Sequence, residues 1–138
     1  MTERLSLVLG SDEPDRLHAA AQLVAGAAAA GVETDVLLVH SGLAAFLSSA
    51  VDAPVPAVAG VGGGPGDLVT RRLADPDVPR WAEVLREARE IGVVHVHACK
   101  SSLALLDASL DDLDPMVDDA VSVATFMARY DGAHAMYV

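Results

Sequence analysis

The chain has 138 residues, about one domain in length, and is 52% hydrophobic but only 4% aromatic, so its core must be built from Ala, Val and Leu in close layers. Its 20 acidic and 9 basic residues, with Lys100 the only lysine, give a formal net charge of -11, which makes nucleic acid and anionic membrane poor partners because both need a positive footprint. A single cysteine, Cys99, excludes an internal disulfide, and no apolar run reaches membrane-spanning length or follows a basic leader, so a cytoplasmic protein is expected.

Residues 5–9 read as a first strand ended by Gly10. Ser11-Asp-Glu-Pro-Asp15 then opens a helix, with Asp12 as its cap and Pro14 in the first turn. Leu17, Ala21, Val24 and Ala28 recur at helical spacing, and Gly31 marks the stop near Ala30. Residues 32–39 form a second strand whose nearly continuous Val and Leu suit a sheet covered on both faces. His40-Ser-Gly42 turns the chain into a short helix over about 43–50. Pro54, Pro56, Gly62-Gly-Gly-Pro-Gly66 and Asp75-Pro-Asp77 break any regular pattern, so a long Pro/Gly-rich loop is expected at about 51–78. The glycine run lacks the Gly-Lys-Ser/Thr ending of a phosphate cradle and reads as part of that loop.

Pro79 opens a third helix with Trp81, Val84, Leu85 and Ala88 inward and Glu83, Arg86, Glu87 and Glu90 outward. Gly92 ends it, a third strand follows over 93–98, and the next helix covers about 101–106. The acidic connector from Asp107 to Asp114 reads as solvated, and its carboxylates, with Asp118 and Asp119, lack the spacing of a calcium loop. Beyond a turn at 115–119, residues 120–123 read as a fourth strand. Residues 124–130 read as a short helix in which Thr125, Phe126 and Met127 pack, and 133–138 as a fifth strand. Strands alternating with helices call for a parallel sheet between helical layers, with ligands at the carboxyl ends of the strands.

Cys99 stands where the third strand stops and a helix begins. A thiol there faces the first free amides of the helix, in a field that favours the thiolate, the form that attacks sulfur. Lys100, Ser101 and His97 are candidate pocket residues beside it. His40, Ser11 and Asp12 follow strands two and one on the same edge, and Asp12, His40 and Cys99 would make a carboxylate, imidazole and thiol set if they met. Capping by Asp12 and a turn at His40 are the plainer account. His95, His97 and Cys99 alternate along one strand face, a spacing that can ligate metal, although packing or hydrogen bonding explains it with fewer assumptions. No metal or cofactor is expected. A cysteine can also serve only as a small buried hydrophobe.

Three segments carry a family resemblance. They are Val36-Leu-Leu-Val-His-Ser-Gly-Leu43, the run Leu85-Arg-Glu-Ala-Arg-Glu-Ile-Gly-Val-Val-His-Val-His-Ala-Cys-Lys-Ser-Ser-Leu103, and Met116-Val-Asp-Asp-Ala-Val-Ser-Val-Ala-Thr-Phe-Met127. In their order of elements, with the thiol at the end of a strand, they resemble the DsrE/DsrF-like sulfur-relay proteins, which include the Tus relay subunits. The resemblance implies a three-layer α/β/α sandwich with a mostly parallel five-stranded sheet, formed by residues 1–138 as one domain. It also implies homotrimers or hexamers and a persulfide on Cys99 that passes sulfane sulfur between an outside donor and an outside acceptor. Residues 51–78 depart from the compact relay subunits. The expected function is a sulfur carrier or sulfurtransferase subunit. A non-catalytic oligomeric assembly or small-ligand binding protein with a structural cysteine is the alternative.

Overall fold

Three six-residue strands, β1 (Arg4–Leu9), β2 (Glu33–Leu38) and β3 (Val94–Cys99), lie side by side between a short β4 (Asp119–Val121) and β5 (His134–Tyr137). The sheet order is β4-β3-β2-β1-β5 and all four ladders are parallel, the arrangement of an α/β fold. This is a computed structural model, which describes residues 3–55, 64–129 and 134–138.

Helix α1 (Pro14–Ala29) joins β1 to β2, and α2 (His40–Ala44), α3 (Pro65–Leu73) and α4 (Trp81–Ile91) fall between β2 and β3. After β3 comes α5 (Lys100–Leu105), and after β4 comes α6 (Val123–Arg129). The steps from β1 through β4 all move one way across the sheet, whereas the step from β4 to β5 returns to the far edge. Right-handed crossovers therefore put α6 on the face opposite α1, α4 and α5. The packing agrees, because alternate residues of each strand enter separate cores. Leu7, Leu9, Val36, Leu38, Val94, Val96 and Ala98 meet α1 and α4 through Leu17, Ala21, Val24, Leu85 and Ala88. On the other face Leu37, Val39, Cys99 and Val121 form a smaller core with Phe126 of α6, and Val8 packs at its margin.

Local chemistry sets several boundaries. Gly31, at φ 75, takes the left-handed conformation that ends α1. At Gly42 a Cβ would collide with the Leu9 carbonyl, so only glycine lets the turn into α2 close against the end of β1. The cap of α1 is Glu13 rather than Asp12, and Pro14 takes the first helical position, where its missing N–H leaves no bond unmade. Ser11 contributes there instead, its hydroxyl accepting the Glu13 N–H at 3.1 Å.

The structure differs from the sequence reading at other places, each for a physical reason. Helix α2 begins at His40 and ends before 45, because the backbone beyond it pairs elsewhere: Leu47 bridges Leu113, and Ser48 N–H donates to the Asp112 carbonyl. Helix α3 lies inside the stretch read as irregular. Gly64 and Pro65 start it rather than break it, Asp67 and then Arg71 and Arg72 suit its dipole, and it buries no residue, with Leu68 and Val69 exposed. Pro56 and residues 62–63 of the glycine run lie outside the described residues, as do residues 130 and 133 at the ends expected for the last helix and strand.

Candidate functional site

The face under α6 changes character along the strands. At the carboxyl end, Cys99 is the cap residue of α5 and is only 2% exposed, packed with Leu37, Val39, Val121 and Phe126. Its Sγ lies 3.1 Å from Ser101 Oγ. Burial alone pushes the thiol up, but the hydroxyls and backbone N–H groups of Ser101 and Ser102 bond the sulfur and together hold its pKa below the ordinary value. Ser102 is itself 1% exposed. Its oxygen accepts the N–H of His40 at 2.9 Å, which leaves the Ser102 hydroxyl proton for the sulfur. His40 reaches that position at φ 49, an uncommon conformation for a residue with a side chain.

Toward the amino end the same face turns polar. His97, 5% exposed, places Nε2 2.8 Å from Asp35 Oδ1 and Nδ1 2.5 Å from Asp119 Oδ1. Ionised carboxylates only accept hydrogen bonds, so the imidazolium form, with both nitrogens protonated, is the one that satisfies both neighbours. Burial pulls the His97 pKa down, and the hydrogen bonds and charges of Asp35 and Asp119 more than reverse this, leaving it raised. The ring of His97 also meets Phe126 edge-on, with centroids 6.1 Å apart, which ties the polar cluster to the residue packed on the thiol. A cavity of about 350 Å³ opens against the cluster, and Arg4, Glu33, His95 and Arg129 complete its lining.

The candidate residues named from sequence are divided among several places. His97 and Cys99 share a strand face two residues apart, and Ser101 touches the sulfur. Lys100 is exposed and is not among the groups that lower the thiol; hydroxyls and amides do that work. No hydrogen bond or ion pair of the described residues joins Asp12, the His40 imidazole and Cys99. Asp12 instead lines a separate cavity with Leu17 and Trp81, beside the larger core. His95 is exposed, and both nitrogens of His97 are taken by carboxylates, so His95, His97 and Cys99 do not converge on a metal position. Among the described residues no group of three or more His, Cys, Asp or Glu side chains could hold a metal ion.

Sequence reasoning missed Asp35, Asp119, Ser102 and the covering role of Phe126. Asp35 carried a signal, because a lone carboxylate inside an apolar strand is costly unless paired. Asp114, Asp118 and Asp119 stood among the acidic residues read as solvated, yet each has a protein partner. Asp114 binds Arg86 at 2.9 Å, Asp118 grips Arg89 through both oxygens and accepts the Val96 N–H, and Asp119 holds His97.

No family model and no curated protein matches the sequence. Solved structures do. The protein of unknown function MTH1491 from Methanobacterium thermoautotrophicum superposes with a TM-score of 0.63 at 16% identity, over 99% of each chain. The ychN protein from E. coli does so with a TM-score of 0.60 at 14% identity, over 100% of each chain. At such identities the likeness is one of fold, and it runs the length of both partners. No helix of the described residues is long and apolar enough to cross a membrane.

Proposed function

We propose that this chain is a DsrE-like sulfur carrier in which Cys99 holds sulfane sulfur as a persulfide. The observation that carries the reading is the sulfur's environment: hydroxyls and amides of Ser101 and Ser102 lower the thiol against the pull of burial, at the carboxyl end of the interior strand β3. The family resemblance of the sequence supports it, and Ser101, Ser102 and His40 enter as groups that hold the sulfur or its hydroxyl partner.

The transfer is a pair of thiolate displacements. The Cys99 thiolate attacks the outer sulfur of a donor persulfide, a new S–S bond forms on Cys99, the donor S–S bond breaks, and the donor leaves as its thiolate. An acceptor thiolate then attacks the outer sulfur on Cys99 and restores the Cys99 thiolate. No net oxidant or reductant is needed. Because one thiol cannot resolve the persulfide within the chain, donor and acceptor are both outside partners, and trimeric or hexameric assembly is part of the proposal. Cys99 is 2% exposed and packed with Leu37, Val39, Val121 and Phe126, so this enclosure must open before sulfur of another molecule reaches it.

That enclosure favours a second reading, an assembly or small-ligand binding protein in which Cys99 is a packing residue. Intact mass after incubation with a small-molecule persulfide separates the two. The carrier reading expects one added sulfur on the native chain, removed by excess thiol and absent from Cys99→Ser. An unmodified native chain under conditions that modify a free cysteine peptide leaves the packing reading.

A further inference from the structure

The cavity at the amino ends of the strands is not needed for the thiol chemistry, and we propose that it binds a small zwitterion of the α-amino acid class, with the carboxylate on Arg129 and the ammonium on Asp119. Its size, about 350 Å³, falls at the lower end of small-molecule sites, which run from roughly 300 Å³ upward. Its wall is unusual for a surface that merely packs. Asp35 is 4% exposed and His97 5%, and burying ions is expensive even when they are paired. Ser6 lies on the same face in register with Asp35, and its buried hydroxyl has no hydrogen-bond partner among the described residues.

Charge decides the class of ligand. Among the described residues three carboxylates, Glu33, Asp35 and Asp119, face two guanidinium groups, Arg4 and Arg129, and the shared imidazolium of His97. The sum is zero, so a net anion or a net cation would meet as much repulsion as attraction. Internal pairs consume most of these charges. Arg4 is 2.7 Å from Glu33, and His97 lies between Asp35 and one oxygen of Asp119. Two groups are left for a guest. Arg129 has no ion-pair partner among the described residues, and the side chain of Asp119 is 47% exposed with only its Oδ1 engaged by His97. A ligand with one positive and one negative group answers both at once, through charge-assisted hydrogen bonds to each.

Glycine tests the class, with acetate and methylammonium as controls that carry one charge each. The full chain is titrated at constant ionic strength while the ring signals of His95 and His97 are followed by NMR. Glycine is expected to give a saturable shift, and each control to bind at least tenfold more weakly. Arg129→Gln, a change on an exposed helix end, should weaken glycine at least tenfold with the fold intact. Cys99→Ser should bind glycine as the native chain does, which keeps this result separate from the sulfur reading. Acetate or methylammonium shifts equal to those of glycine, an unchanged affinity in Arg129→Gln, or the absence of saturation would overturn the proposal.

Discussion

The two faces of the sheet are built from the same strands yet obey different rules. Against α1 and α4 the core residues of β1, β2 and β3 are Leu7, Leu9, Val36, Leu38, Val94, Val96 and Ala98, all aliphatic or alanine and all buried. Against α6 the inward residues include Ser6, Asp35, His97, Cys99 and Asp119. Topology explains the contrast. Three crossovers supply helices to the first face, but only the return from β4 to β5 supplies the second, and its helix has seven residues with a single buried one, Phe126. A thinly covered face cannot be held by apolar area alone, so it is free to carry charge and a thiol, while the thickly covered face supplies the stability that this requires.

The largest effects should come from emptying each face of one large side chain. Leu38→Ala on the thick face removes a residue with no exposed surface and should cost about 2–5 kcal/mol, with little change in the rate at which a thiol reagent modifies Cys99 under native conditions. Phe126→Ala should cost about 3–5 kcal/mol by the same reasoning, but it should also speed native-state modification of Cys99 severalfold, because it removes the one helix residue of the apolar cluster around the thiol among those described. Denaturant melts and a thiol-labelling time course measure both. Equal labelling rates for the two variants would mean that α6 does not guard the thiol.

Protonation should distinguish the faces next. The pKa of His97 is raised above its ordinary 6.5 on folding, so the contact with Asp35 and Asp119 stabilises the native state fully below that ordinary value. The contribution is lost as pH rises through the higher native pKa. Unfolding free energy of the native chain should therefore fall from pH 6 into the alkaline range, and His97→Gln should flatten that fall. The acid limb has the opposite origin. Burial lifts Asp118 but Arg89 and the Val96 N–H lower it further, so its contribution is present above the ordinary 3.8 and disappears as pH drops through the lowered native value. Urea melts at half-unit pH steps would contradict this if stability rose between pH 6 and 9, or if His97→Gln kept the native slope.

The contrast between the faces also explains what could be read from the amino-acid order. Leu17, Ala21, Val24, Leu85 and Ala88 advertise a thick core because regular helices repeat their inward residues, and the strand–helix alternation with Gly31 and Gly92 fixes the parallel architecture. On the thin face the informative contacts are long in sequence and short in space. Asp35 and His97 are 62 residues apart, as are His40 and Ser102. No local period encodes such pairs, so Asp119 passed for part of an acidic connector and Ser102 for an ordinary helix residue. Asp12 and His40 followed the correct strand ends but were sent to different surroundings, because the end of a strand fixes a residue's edge and not the direction of its side chain. Helix α3 was hidden for another reason: it opens on Gly64 and Pro65, which read as breakers in a Pro/Gly-rich stretch.

The smallest expected effect concerns charge on the thick side, where it sits at the rim of α4. Arg86 reaches Asp52 through two bonds of 2.9 and 3.3 Å, and the Asp52 side chain is 58% exposed. Water screens such a pair, so Asp52→Asn should lower stability by less than about 1 kcal/mol, and by less again in molar salt. Asp114→Asn tests the same arginine from its drier side, since that carboxylate is only 13% exposed, bonds Arg86 at 2.9 Å and accepts the Met116 N–H. A loss of about 1–3 kcal/mol is expected there, because the shielded carboxylate gives up the charge that binds Arg86 and the Met116 N–H. If the two substitutions cost the same, solvent exposure would not be what separates rim charge from buried charge. The contrast between a face that stabilises and a face that carries polar chemistry would then lose its energetic basis.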